Sequence, residues 1–186
     1  MILSNLDIKR YLRDGRIRID PPPSDKQYST NSVDLLLGDE FMLWLPPDAG
    51  VEIAVEPQEV DLPTLIQKYM KAAQTEEDGS FVLGPGRFAL GITHEKVVLP
   101  TDSRIAARVE GRSKLARLGL SIHLTAPTIH CGFTGKITLE MRNNGPLRLK
   151  LRPQKLAVCQ LIFEELMSSP EAKASTFDGQ TGVAGA

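Results

Sequence analysis

Short runs of alternating apolar and polar residues dominate the second half of the chain. Gly and Pro turns separate these runs, which lie within residues 81–100, 104–111, 120–127, 135–143, 147–153 and 155–166. Alternation with a two-residue period predicts β-strands with one buried face. Such strands at a spacing of roughly ten residues are typical of an antiparallel barrel or sandwich. The pattern therefore predicts a mainly β fold, a distorted jelly-roll or β-barrel.

Two segments in the first half have helical patterns. Residues 4–15 predict a short helix in which Ser4 and Asp7 form a capping box and Gly15 ends the last turn. Residues 62–74 predict a second helix. The side chains expected to be buried under the first helix are Leu6, Ile8, Tyr11 and Leu12.

The remaining N-terminal residues predict strands and loops. Residues 16–20 alternate as a strand, and the prolines in residues 21–31 predict a loop because proline cannot donate to a ladder. Residues 32–47 predict two strands on either side of Gly38 and Asp39. Residues 1–170 are thus predicted to form one domain, followed by a polar, Gly-rich tail over residues 171–186 that is flexible when free.

Composition narrows the classes of function. The 186 residues carry a net charge of −1, which disfavours a nucleic-acid-binding surface, although a local basic site remains open. No apolar run is long enough for a signal peptide or a membrane span. Two cysteines are too few for a disulfide framework, which favours a cytoplasmic location.

The segment TIHCGFTGKITLEMRN, residues 128–143, suggests a zinc site through His130, Cys131 and Glu140. Zinc-dependent base deaminases combine an H-x-E segment with a P-C-x-x-C segment, and this chain has no C-x-x-C. Adjacent residues of a strand also point to opposite faces. The sequence therefore predicts no protein-bound zinc.

Glu140 has two interpretations. In residues 135–143 the apolar side chains share one face of a predicted strand, and Glu140 lies on the other. A charged residue there is most often part of a solvated outer face. The alternative is a carboxylate that lines a cleft and transfers protons.

The segment GRSKLARLG, residues 111–119, interrupts the strands with one predicted helical turn. Ser113 is the expected N-cap and Gly119 the expected C-terminal residue. Arg112, Lys114 and Arg117 are either solvated surface charges or part of an anion site such as a phosphate site. A serine hydrolase is disfavoured because no histidine with a matching acid is recognisable nearby.

These pieces in this order resemble the dCTP deaminase family of the dUTPase-like superfamily. The specific part is G-R-S-x-L-A-R-L-G followed by the strand G-F-x-G-x-I-x-L-E, and weaker matches include MILSNLDIKRYL, SVDLLLGDEF and FDGQTG. The resemblance implies a dUTPase-like fold and a homotrimer with active sites between neighbouring chains. It implies deamination of dCTP to dUTP and ammonia without zinc, with Mg²⁺ bound to the triphosphate, and it makes inhibition by dTTP plausible.

The resemblance also implies individual roles. Glu140 matches the catalytic glutamate, which would take a proton from the attacking water and deliver protons to the pyrimidine N3 and the leaving amine. Ser113 matches a serine that holds this water, and Arg117 an arginine that orients the site. The other matches are substrate contacts: Arg112 and Lys114 at the phosphates, the backbone of His123, Leu124, Thr125 and Ala126 at the cytosine edge, His130 and Phe133 at the deoxyribose, and Gln180 in a tail that closes as a lid.

The chain departs from the family pattern at three positions. Lys114 stands where many members have a serine, and Thr176 where a tail lysine is common, so that Lys173 or Lys114 could compensate. His130 replaces an aspartate that contacts the sugar 3′-hydroxyl and that, in dUTP-hydrolysing members, also activates water. A neutral histidine can still bind the hydroxyl but lacks the negative charge of the aspartate carboxylate, so we expect dUTP hydrolysis to be weak or absent.

Two alternatives stay open. One is a bifunctional enzyme that forms dUMP, or a dUTPase alone, although plain dUTPases lack the glutamate at position 140. The other is a non-catalytic nucleotide-binding regulator on the same scaffold. Retention of Ser113, Arg117 and Glu140 together argues against the regulator, because binding alone needs no proton shuttle.

Overall fold

The structure, a computed structural model, describes residues 1–46, 62–171 and 179–183. The α-helices among these residues are α1 (Asn5–Arg13), α2 (Leu62–Tyr69) and α3 (Ser113–Ala116), and Asp25–Gln27 and Thr101–Ser103 are short 3-10 helices. The strands are β1 (Arg18–Asp20), β2 (Val33–Trp44), β3 (Met70–Ala72), β4 (Phe81–Leu83), β5 (Phe88–Val98), β6 (Ile105–Gly111), β7 (Leu120–Ser121), β8 (Thr128–Ile129), β9 (Thr134–Asn143), β10 (Leu149–Leu151) and β11 (Ala157–Glu165). The predicted mainly β fold is confirmed.

One large antiparallel sheet organises the molecule. Its strands follow the order β7-β9-β5-β2-β11-β6-β8, with β1 also paired to β5 and β3 to β2. β10 and β4 form a separate pair. The core is mainly aliphatic and includes a stacked aromatic pair, Phe41 and Phe81, whose ring centroids lie 4.3 Å apart.

α1 confirms the predicted N-terminal signal. The Ser4 hydroxyl accepts from the Asp7 backbone N–H at 3.2 Å, and the Asp7 carboxylate accepts from the Ser4 N–H at 3.3 Å. The predicted burial of Leu6 is wrong, because its side chain is 75% exposed. Ile8 and Tyr11 are three residues apart on one helix face and are buried, whereas Leu6 points away from that face.

β2 corrects the prediction of two strands around Gly38 and Asp39. It is one continuous strand, although its register against β5 is irregular between Leu37 and Phe41. It pairs with β11 through its first half and with β5 and β3 through its second. A Cβ at Gly38 would lie 2.9 Å from the Ile92 carbonyl oxygen on β5. Glycine at this position therefore permits close approach of two strands rather than a turn.

The predicted helix over residues 62–74 is only partly confirmed. α2 ends at Tyr69, and the next three residues form β3. Met70 pairs with Trp44 and Ala72 with Met42. Because β2 offers an edge, ladder pairing takes precedence over helix propensity here. Of the segment 57–80, whose role the sequence leaves open, residues 57–61 lie outside the described part of the chain.

Candidate active site

β9 positions Glu140 on its more exposed face. The strand alternates as predicted, with Leu139 and Met141 fully buried and Glu140 between them half-buried. The Leu124 backbone N–H donates to Glu140 Oε2 at 3.2 Å. Oε1 makes no hydrogen bond to any of the described residues, so it is available to a substrate or water.

Residues 120–127 differ from their prediction as a strand. Only Leu120 and Ser121 pair, as β7, with the end of β9. Residues 122–127 leave the ladder, which frees backbone groups such as the Leu124 N–H to face the site. Within the part of the chain that is described, the buried Nδ1 of His123 has no hydrogen-bond partner. Leu124, Thr125 and Ala126 are exposed.

The basic turn, defined as residues 111–119, corrects the prediction that Ser113 is the N-cap. Arg112 is the N-cap, and Ser113 is the first residue of α3. The side chains of Ser113, Lys114 and Arg117 are exposed, and no side-chain hydrogen bond or ion pair joins them to another described residue. These three side chains are therefore available to a ligand.

The C-cap of α3 is Arg117, two residues before the predicted Gly119. Gly119 still ends the basic turn with a φ of +91°, and a Cβ there would overlap the Gly145 backbone nitrogen. Asn144 N–H donates to the Gly119 carbonyl at 2.8 Å. Close backbone contact thus fixes the turn against the loop that follows β9, which is the strand that carries Glu140.

Arg112 differs from the other cations of the turn because it has a partner. Its Nη1 contacts Asp34 Oδ2 on β2, and the side chains are 32% and 14% exposed, respectively. Asp34 was not among the residues that the sequence singled out. The available signal was a charged residue inside the apolar run VDLLL.

A buried carboxylate lies beside this ion pair. Glu95 is 1% exposed; its Oε1 accepts from Gln27 Nε2 at 3.0 Å and its Oε2 from the Leu36 N–H at 2.8 Å. Burial raises the pKa of Glu95, and the hydrogen bonds oppose that shift. Burial also raises the pKa of the nearby Cys159 thiol to about 12. Cys159 is therefore a neutral core thiol.

The loop before β9 separates the residues of the apparent zinc triad. His130 and Cys131 lie in this loop and not in a strand, so the strand-based reason against shared zinc ligation does not apply. Instead, Cys131 Sγ contacts the Thr101 carbonyl at 3.4 Å, whereas the His130 side chain is exposed. Phe133 packs partly buried against the core. Among the described residues, no three His, Cys, Asp or Glu side chains cluster as metal ligands.

The tail residues 179–183 lie against the start of β9. Gly179 N–H donates to the Thr134 carbonyl at 2.7 Å, and the Gln180 carbonyl accepts from Lys136 N–H at 2.9 Å. The Gln180 side chain is buried and donates to the Thr138 hydroxyl. Thr138 is two residues from Glu140 on the same strand face, so Gln180 is near the catalytic candidate. Thr176 and Lys173 lie outside the described residues.

Within one chain, the fold therefore brings together only some of the predicted site residues. Glu140 contacts the 123–126 segment directly, and Gln180 reaches the same face of β9. No side-chain contact among the described residues links Glu140 to Ser113, Lys114 or Arg117. The turn nevertheless leads into β7, which pairs with the end of β9.

Comparison with known proteins identifies the family. A family model described as dCTP deaminase-like matches residues 2–166. The chain belongs to this family. A dUMP-forming dCTP deaminase of Methanosphaera stadtmanae is 44% identical over 189 residues, covering 97% of this chain and 90% of that protein. A dCTP deaminase of Rhodospirillum rubrum is 45% identical over 168 residues, covering 90% and 84%.

A solved structure supports the family fold. The 2′-deoxycytidine 5′-triphosphate deaminase of Agrobacterium tumefaciens superposes with a TM-score of 0.63 at 18% identity. The match covers 87% of this chain and 47% of that one, and at this identity it shows the fold alone. Within the described ranges, no helix of this dCTP deaminase-like chain is both long and apolar enough to span a membrane.

Proposed function

We propose that this protein hydrolyses dCTP to dUTP and ammonia, a deamination of a cyclic amidine C–N bond. The observation that carries the proposal is the contact between Glu140 and the Leu124 N–H. It places a carboxylate with one free oxygen beside an irregular backbone segment that can read a base edge.

In the proposed mechanism, Glu140 is the proton shuttle. Its carboxylate takes one proton from water as the oxygen attacks C4 of cytosine, and it delivers that proton to N3. It then moves the hydroxyl proton of the tetrahedral adduct to the amino group, which leaves as ammonia while the C4 carbonyl forms. Ser113 holds the water and Arg117 orients it. A general acid–base group of this kind contributes roughly 10²–10⁴-fold to a rate.

The same proposal assigns the substrate contacts. Backbone groups of residues 123–126 read the cytosine edge, His130 meets the 3′-hydroxyl, and Phe133 packs against the deoxyribose. Arg112 and Lys114 bind the phosphates, and Gln180 belongs to a lid over residues 171–186 that closes on the single domain of residues 1–170.

Mg²⁺ fits the proposal as a companion of the triphosphate. Mg²⁺ prefers oxygen ligands. The free side chains of the basic turn are cations and a hydroxyl, so the phosphates and water are its expected ligands. The ion would neutralise phosphate charge, while the protein residues position the nucleotide. No zinc is needed in this scheme.

A homotrimer completes the proposed site. Ser113 and Arg117 do not touch Glu140 within one chain, which is what a site shared between neighbouring subunits would produce. We further propose a cytoplasmic enzyme, with dTTP as a candidate inhibitor because it shares the triphosphate and deoxyribose.

A second candidate function is a bifunctional deaminase that forms dUMP. The names of relatives favour it, since the Methanosphaera stadtmanae protein is a dUMP-forming dCTP deaminase. His130 opposes it, because its exposed imidazole lacks the negative charge of the aspartate carboxylate in dUTP-hydrolysing members. Release of dUMP and pyrophosphate from dUTP by the pure protein would establish the bifunctional enzyme.

One assay tests these assignments. The protein is incubated with dCTP and Mg²⁺, ammonia is followed, and the nucleotide products are resolved. We expect dUTP from the wild type and a loss of at least about 10²-fold in Glu140→Gln with triphosphate binding retained. Glu164→Gln, on β11, is the control and should keep full activity. Binding of dCTP without turnover by the wild type would indicate a regulator instead.

A further inference from the structure

We propose that Asp34 is a positioning residue that fixes the Arg112 guanidinium for the triphosphate. The proposal rests on the proposed function, in which Arg112 binds phosphate. Its basis is the ion pair between Arg112 Nη1, directly after β6, and Asp34 Oδ2 on β2; β6 and β2 are not neighbouring strands. The Nη1 atom is buried and, apart from this ion pair, has no hydrogen-bond partner among the described residues.

The sheet order explains how the two residues meet. β11 lies between β6 and β2, and Cys159 on β11 is opposite both Gly111 and Leu35. Arg112 follows Gly111 and Asp34 precedes Leu35, so the Arg112 side chain spans β11 to reach Asp34. Such a span holds the guanidinium at a defined place over the sheet instead of leaving it in solvent.

Both ends of this span are held by further hydrogen bonds. On the β2 side, Gln27 Nε2 donates to the Asp34 carbonyl at 3.0 Å and also to the buried Glu95 carboxylate. On the β6 side, Gln160 Nε2 donates to the Gly111 carbonyl at 3.1 Å. The Ser32 hydroxyl donates to Gln160 Oε1 at 3.0 Å. The backbone at each end is thus fixed before any ligand binds.

The pairing leaves donors for a ligand. A guanidinium has five N–H groups in a rigid fork, and contact through Nη1 cannot use all of them. The Arg112 side chain remains about one-third exposed, at 32%. Arg112 can therefore hold Asp34 on one side and a phosphate oxygen on the other.

The charges make a positioning role of Asp34 distinguishable from simple electrostatic attraction, because the two predict opposite changes in triphosphate affinity. Asp34 neutralises Arg112, so Lys114 and Arg117 supply the uncompensated positive charge of the turn. Replacing Asp34 by Asn adds one positive charge beside the phosphate site. Simple Coulomb attraction would then tighten triphosphate binding. A positioning role predicts the opposite, because the released guanidinium loses its fixed geometry.

The test compares Asp34→Asn with Asp25→Asn, which adds the same charge at an exposed ion pair with Lys9. The measurements are kcat and KM for dCTP with Mg²⁺, and the Kd of inorganic triphosphate by calorimetry. For Asp34→Asn we expect KM and Kd to rise at least about tenfold with kcat changed less than about threefold. Asp25→Asn should change neither constant. Unchanged or tighter binding by Asp34→Asn overturns the proposal.

Arg112→Gln separates this proposal from the proposed function. If positioning of Arg112 is the whole effect, Arg112→Gln weakens triphosphate binding and adding Asp34→Asn weakens it no further. If Arg112→Gln leaves the Kd unchanged, the positioning role is refuted while the Glu140→Gln assay still stands. If the wild type fails to deaminate dCTP, the proposed function fails, and the triphosphate Kd still decides the role of Asp34.

A second variant, which keeps the negative charge at position 34, tests the proposal if Asp34→Asn does not fold. Asp34→Glu retains the carboxylate but displaces it by one methylene. We expect it to weaken inorganic triphosphate binding at least about threefold without changing kcat. Wild-type affinity in folded Asp34→Glu would count against a positioning role.

Discussion

Replacing Gly135 by alanine should release the C-terminal segment from β9. A Cβ at this position would lie 2.8 Å from the Gln180 carbonyl oxygen and 3.1 Å from the Gln180 nitrogen. Both are backbone atoms of the segment 179–183, so no side-chain rotation can relieve the contact. A methyl group at Gly135 therefore tests the docked tail directly.

The size of the effect follows from how weakly the segment is held. It makes four hydrogen bonds to β2 and β9 and buries Val183. At about 1 kcal/mol per bond and about 2 kcal/mol for Val183, these contacts contribute about 6 kcal/mol. Ordering five residues costs about 5–10 kcal/mol, so the two nearly cancel. A steric penalty of about 1–3 kcal/mol then shifts docking by roughly 5- to 150-fold.

Hydrogen exchange measures this shift at individual amides. In Gly135→Ala, the Gly179 and Lys136 amides should lose protection, while amides in the β6–β11 ladder keep it. If the tail is the proposed lid, kcat/KM for dCTP should fall in parallel. Gly84→Ala is the control, since its Cβ would make only an ordinary 3.5 Å contact with Arg87 Cγ. Unchanged protection at both amides in Gly135→Ala would refute the reasoning.

Two further predictions concern stability. Burial raises the pKa of Glu95 above its ordinary 4.5. The wild type should therefore lose stability relative to Glu95→Gln as pH rises from about 4.5 through the raised pKa. Urea unfolding of both proteins across that pH range measures this loss, and a pH-independent difference in stability would contradict it. Asn143→Ala should destabilise the protein by about 2–4 kcal/mol, because the buried side chain donates to the Leu83 and Leu147 carbonyls at 2.9 and 2.7 Å. In thermal or urea unfolding, the exposed neighbour Asn144→Ala should cost less than half as much.

Local signals were predicted well from sequence. The capping box of α1 needs only Ser4 and Asp7, three residues apart. The alternation along β9 needs only a two-residue period, and it placed Glu140 on the correct face. Gly119 was predicted as the end of the basic turn and has the expected positive φ. Each of these features depends on atoms within a few residues of one another.

Features that depend on a partner strand were predicted poorly. Gly38 has the composition of a turn, yet β2 continues through it because β5 packs against that glycine. Met70 continues a helical pattern, yet it pairs with Trp44 at the edge of β2. In both cases the free energy of strand pairing comes from residues distant in the sequence. A pattern of neighbouring residues carries no information about those partners.

The candidate site shows the same division. The residue pattern alone was enough to predict the reactive groups, which are a glutamate on a strand face and a basic turn upstream. The motifs were enough to predict the family. The three-dimensional arrangement was needed to show that the Leu124 N–H meets Glu140 and that the Arg112 side chain reaches Asp34 across β11. It was also needed to show that Lys114 and Arg117 have no ion-pair partner among the described residues. The reason is physical: which polar groups meet is fixed by strand order and register, and these are set by burial of the whole core.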